Sequence, residues 1–199
     1  MNDVIVEYNR AVSFDKKNLV TKIVDTFTPV HDGAVFANAF VYQVDKGQFG
    51  KITSSATTEG IRTESATSSI IVCPNVKQAI QKVYTITREF TGGFFNKKDL
   101  KSYNPYIIVK YTEGQKGRTE VHLPKHEATS LADLSLAGTG KDAYYIDKEG
   151  AYPFAIDIPI LNFIPVTEKK SIDSEYPYFK AWADSKGEKY MDWYNNHAN

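Results

Sequence analysis

A period of two runs through most of this chain, and no other feature restricts its fold as much. "DVIVEY" (3–8) opens in that pattern. "LVTKIVDTFTPV" (19–30) places Leu19, Ile23 and Phe27 on one face and Val20, Val24 and Val30 on the other. "AVFANAFVYQV" (34–44) sets Phe36, Phe40 and Tyr42 against Val35, Val41 and small alanines. "VYTITREF" (83–90), "YIIVKYT" (106–112), "RTEVHL" (118–123) and "PFAIDIP" (153–159) continue it. Strands favour Val, Ile, Thr, Tyr and Phe, and Gly, Asn, Asp and Pro fill the gaps between these runs. Several runs are apolar on both faces, as inner strands packed in two layers require. About nine or ten strands with few helices predict an all-β fold, an antiparallel, jelly-roll-like β-sandwich. With no repeat and no low-complexity linker, residues 1–199 are expected to form a single domain.

The period breaks in three places. "NVKQAIQKV" (75–83) carries Val76, Ala79, Ile80 and Val83 at helical spacing, which predicts a short helix or turn. "SLADLSLAGTGKDAYY" (130–145) is a long excursion, with Leu131, Leu134 and Leu136 as expected anchors and Gly138 and Gly140 as breakers. Connections of this length are often functional. Seven aromatic residues crowd positions 176–194. There Ser174 is a plausible N-cap, Pro177 fits a first turn, Phe179, Trp182 and Ala183 fall at i, i+3 and i+4, and Gly187 suits a helix stop. The pattern predicts a short C-terminal helix packed on one end of the sandwich, its aromatics turned inward as a lid rather than outward as a ligand platform.

Charge and cysteine narrow the function classes. Lys plus Arg and Asp plus Glu number 24 each, and no basic block stands out, so no nucleic-acid partner is expected. The one cysteine, Cys73, lies in the apolar run "SSIIVCP" and is expected to be a buried, inert thiol. No apolar run reaches the roughly 20 residues that span a bilayer, so no membrane insertion by this segment is expected. "MNDVIVEYNR" lacks the regions of a signal peptide, leaving either a cytosolic protein or a segment of something longer.

Catalytic constellations are not apparent. His122 and His126 stand four apart beside Glu127, but Pro124 lies between them and His122 ends a strand, so they share no helical face. "GTGKDA" lacks the strand and helix that frame a phosphate loop. Asn2 and Asp3 carry oxygens of the kind that ligate calcium, yet by themselves they read as an ordinary strand start.

Three stretches together resemble a known family. "MNDVIVEYN" (1–9), "EVHLPKHEATSLADLSLAGTG" (120–140) and above all "YPFAIDIPILNFIPVTEKKSIDSEYPYFKAWADSKGEKYMDWYNN" (152–196) are similar to the C-terminal LruC-type domain of bacterial surface lipoproteins, a domain of unknown function in gut and oral Bacteroidetes. The resemblance implies an exported β-sandwich on the cell surface, in the outer membrane or in the periplasm, and implies that this chain is the C-terminal part of a longer lipoprotein. It also implies a side expectation of calcium at Asn2 and Asp3, although the family's upstream acidic residues are absent here. Phe154 stands where that family commonly has tryptophan, and Lys125 and His126 replace its usual Gly-Tyr.

The leading expectation is a non-enzymatic cell-surface module for adhesion or for binding a glycan or surface protein. Its candidate ligand-binding residues are Tyr144, Tyr145 and Tyr152, with Tyr176 and Tyr178 as further stacking candidates. The alternative is a structural or assembly spacer with an unpaired edge strand. A third expectation is a glycoside-type hydrolase whose carboxylates converge in three dimensions from among Asp142, Asp147, Glu149, Asp157 and Glu168.

Overall fold

The computed structural model describes residues 4–55, 61–92, 95–136, 152–167 and 169–198. Among these, β1 (Val4–Phe14), β2 (Val20–Asp32), β7 (Tyr84–Glu89) and β4 (Lys51–Ser55) form one antiparallel sheet, in the order β1-β2-β7-β4. The second sheet runs β5 (Arg62–Glu64), β6 (Ser69–Cys73), β3 (Ala39–Gln43), β8 (Asn104–Ile108) and β9 (Glu120–His122), also antiparallel. The all-β sandwich expected from the alternation is what forms. After β2 the chain alternates between layers, β3 to one sheet and β4 to the other, before the β5–β6 and β8–β9 hairpins.

The interior lies between the sheets. Phe27, Tyr84 and Ile86 from the first sheet meet Phe40, Tyr42, Ile70 and Val72 from the second. Each such large side chain, fully buried, contributes about 1.5–3 kcal/mol. Phe27 sits between the rings of Phe40 and Tyr42, at 5.3 and 5.1 Å. The two faces of β3 separate as its alternation predicts, because Ala39 and Val41 pack on the outer side with Ile71, Tyr106 and Ile108. In β2 the faces differ from expectation. Val20 joins Ile23 and Phe90 in an end cluster, because an irregularity at Ser13/Phe14 carries the pairing from Ser13–Lys22 to Phe14–Val20 and skips Thr21.

Two expected elements change form. "PFAIDIP" makes no strand; its Ile156 and Ile158 pack against the C-terminal segment instead, and Phe154 is exposed. The single C-terminal helix is two, α1 (Ile172–Glu175) and α2 (Phe179–Asp184), so Ser174 lies inside α1 rather than capping it. Pro177 explains the break, since it pushes the preceding Tyr176 out of the helical region to φ −124°, ψ 86°. The stop after α2 comes one residue before Gly187: Lys186 takes the left-handed conformation at φ +56° with its N–H donating to Ala183 O at 2.8 Å, and Gly187, at φ +85°, closes the same turn with its N–H donating to Trp182 O at 3.0 Å. The expected turn after Asn75 forms as a single 3-10 turn, Val76–Gln78, with Val76 and Ala79 buried. None of the described helices is long and apolar enough to cross a membrane.

Candidate functional site

The C-terminal aromatics build a small core of their own. Trp193 is fully buried, and Phe163, Tyr176, Phe179, Trp182 and Tyr194 surround it with ring centroids 4.9–6.1 Å away. The 3-10 turn Trp193–Asn195 turns Trp193 inward and leaves Met191 and Asp192 at the surface. The 152–167 stretch wraps the other side, where Ile156, Ile158 and Phe163 pack and Ile164 O accepts from Tyr176 OH at 2.9 Å. Two bonds join this unit to β1: Tyr8 OH donates to Asp157 Oδ2 at 2.7 Å, and the Asn162 N–H donates to Glu7 Oε1 at 2.7 Å. Burial, reinforced by the bond to Asp157, pushes the Tyr8 phenol up to about 12.

A pocket of about 370 Å³ opens where these stretches meet, lined chiefly by Trp182, Trp193, Tyr194 and Met191 with Asp157 and Asp192. Trp193 Nε1 is buried and has no hydrogen-bond partner among the described residues. A buried indole N–H usually finds an acceptor. The partly exposed rings of Trp182 and Tyr194 and two exposed carboxylates equip this pocket to hold a polar ring by stacking and hydrogen bonding, while Trp193 backs it from within.

Two buried charge networks lie elsewhere, and both read as structural. Between the sheets Asp25 takes Arg10 Nε at 2.8 Å and Arg88 Nη2 at 3.1 Å, while Tyr42 OH reaches across from the other sheet at 3.3 Å. On the outer face of the second sheet, Arg118 bonds Glu64 and Glu120, each at 2.7 Å. Glu120 also accepts from the Thr129 N–H and hydroxyl and faces His122 Nε2 at 2.9 Å. Asn104 Nδ2 donates to Glu127 O, which fixes its Oδ1 toward His122 Nδ1 at 2.8 Å. These bonds hold the 123–136 connection against the sheet. Burial tends to raise the Glu120 carboxyl, but its hydrogen bonds, led by those of His122 and Thr129, hold it down at about 2. Burial keeps His122 below the ordinary imidazole range, with Glu120 opposing. A larger polar groove, about 590 Å³, runs beside this network. It has no aromatic wall, and its buried groups Thr67, Asn104 and Thr129 are already bonded.

A family model for a domain of unknown function, DUF4842, matches residues 18–194, from just before β2 through Tyr194. The chain belongs to the DUF4842 family. No curated protein and no solved structure matches it. In this DUF4842 domain, every residue lining the aromatic pocket falls within the matched span.

The residues singled out by sequence are scattered across the DUF4842 domain. Tyr144 and Tyr145 lie outside the described residues, as do Asn2, Asp3, Asp142, Asp147, Glu149 and Glu168. Tyr152 stacks on Phe179 at 5.6 Å and belongs to the aromatic packing rather than to the pocket wall. Tyr176 is buried, whereas Tyr178 is exposed and stacked on Tyr190 at 5.1 Å. Asp157, the one hydrolase candidate among the described residues, lines the pocket, and its companion there, Asp192, was not among the candidates. Leu134 is exposed, not an anchor. Cys73 is buried, and burial pushes its thiol up to about 12. Among the described residues no group of three or more His, Cys, Asp or Glu could hold a metal ion.

Proposed function

We propose that this protein is a non-enzymatic surface module of the LruC type, carried on an exported lipoprotein, that binds a glycan in the aromatic pocket. The observation that carries this reading is the joining of Trp182, Trp193 and Tyr194 with Asp157 and Asp192 around one opening. Sugar rings present apolar faces that stack on aromatics and hydroxyls that bond carboxylates. Both carboxylates are exposed, so neither is desolvated as a general acid for hydrolysis must be. A glycan array tests it, with Trp182→Ala and Met191→Arg alongside the parent protein. Selective binding should fall at least about tenfold in both variants, the loss of one stacking contact being worth on the order of 1–2 kcal/mol. Met191 is 69% exposed, so its variant blocks the rim without emptying the core. Binding that survives in both variants sinks this site.

A second reading, the assembly spacer, rests on β1. This strand of 11 residues forms a sheet edge, and among the described residues its backbone bonds only to β2. Such an edge can accept another strand. Sedimentation should then show dimers that a Val6→Pro substitution abolishes, and a concentration-independent monomer would count against it.

A further inference from the structure

The assembly reading places a partner on the free edge of β1, and the guard inferred below depends on that reading. Natural sheets protect such an edge by keeping it short, by placing Lys or Pro on it, by bulging it or by covering it. β1 runs 11 residues, Val4–Phe14, with neither Lys nor Pro. Both irregularities in its pairing put the extra residue in β2, at Val30 and Thr21, so β1 itself is unbulged. Its Arg10 is turned to Asp25 and does not charge the edge. Covering is the device that remains, and the C-terminal unit supplies it.

Two adjacent residues reveal the cover. Val4, Val6, Val12 and Phe14 pack inward, and Tyr8 shares their face, its ring stacked on Phe27. Glu7 therefore leaves by the opposite face. Yet one short stretch holds both, because Asp157 accepts from Tyr8 OH and the Asn162 N–H donates to Glu7. From 157 to 162 the chain spans at most about 18 Å, and β2 closes the other flank of β1. Residues 157–162 thus pass round the free edge at mid-strand. They cover it without pairing: among the described residues no backbone bond joins 152–198 to a strand, and the aromatic cluster takes in no strand residue. We infer that residues 157–162 are a removable guard, and that their release opens β1 to antiparallel pairing with β1 of a second copy of this chain. Self-pairing about Asn9 sets Val6 opposite Val12 and Val4 opposite Phe14, so that inward apolar side chains of the two copies meet. Pairing about Tyr8 would set Val6 against Arg10 instead.

Sedimentation equilibrium of the full chain tests this, with the parent protein beside Asp157→Ala/Glu7→Ala, which removes both links. The parent should pair weakly, because only its unguarded fraction is competent. The double variant should dimerise at least about tenfold more tightly, the scale of one hydrogen bond to a charged group. Val6→Pro should abolish pairing in either background. Asn9→Cys gives a readout that needs no proline in the strand: residue 9 faces its own copy, so oxidation should link dimers, and faster in the double variant. Cys73 is buried and does not compete. If the double variant pairs no more tightly than the parent while Val6→Pro blocks both, the guard is overturned and assembly through β1 stands. If it gains a dimer that neither Val6→Pro blocks nor Asn9→Cys links, another surface makes the contact and the inference falls. If neither protein dimerises at any concentration, the assembly reading falls and the inference with it.

Discussion

Replacing Asp25 by alanine is expected to cost about 3–5 kcal/mol of stability, measured by urea unfolding at neutral pH. Asp25 is fully buried, and it is the carboxylate that faces both Arg10 and Arg88 between the sheets. Without it two guanidinium groups remain, and that of Arg88, 1% exposed, keeps among the described residues only the carbonyls of Gln48 and Phe49 as partners. An unpaired buried cation is much more costly than a missing ion pair. The double variant Asp25→Leu/Arg88→Leu should therefore lose less than the sum of its single changes. A loss below about 1 kcal/mol for Asp25→Ala would mean that water reaches this cluster and screens it.

Acid should unfold the protein through Glu120. Its folded carboxyl titrates at about 2, against about 4.3 for an ordinary glutamate. A depressed carboxyl stabilises the fold above the unfolded value, and that contribution is lost as pH falls through the folded value. The window therefore runs from about pH 4.5 down to about pH 2, and the contribution is on the order of 3 kcal/mol. His122 adds to the same slope from higher pH, because the unfolded chain takes up its proton first once pH drops below about 6.5. Glu120→Gln should lower stability at pH 7 and flatten the unfolding free energy between pH 4.5 and 2. Parallel curves for the two proteins would remove Glu120 from the account.

Much of the architecture was written in the alternation. Ile23 and Phe27 share a parity that predicts an inward face, and Asp25 has the same parity, so its burial could have been read from "IVDTF". What hid it was the habit of assigning charge to the surface, which fails when arginines on neighbouring strands meet the carboxylate. "PFAIDIP" alternates equally well yet forms no strand, and its Ile156 and Ile158 pack in the C-terminal aromatic cluster instead. Periodicity reports which side chains are buried, and it does not report whether a neighbouring backbone exists to pair with.

The candidate pocket was less legible. Density of aromatics pointed to 176–194, and the inward-facing reading was right for Tyr176, Phe179 and Trp193. Helical spacing also put Trp182 on that stripe, but only the three-dimensional wrapping of 152–167 brings Asp157 beside Trp182 and Asp192. Residues that far apart in sequence leave no local signal of their meeting.

The passage of the chain back and forth between layers bears on how it folds. The first sheet draws on residues 4–14, 20–32, 51–55 and 84–89, and the second is completed only by 104–108 and 120–122. Neither layer can therefore be finished from the first third of the polypeptide, and β2 waits for β7 across more than 50 residues. Such non-local pairing places folding on the millisecond-to-second scale, since loop closure must precede the contacts that reward it. During synthesis, the early strands would stand with open edges until the later ones arrive, which makes shielding of nascent β1 and β2 part of the conditions for making this protein intact.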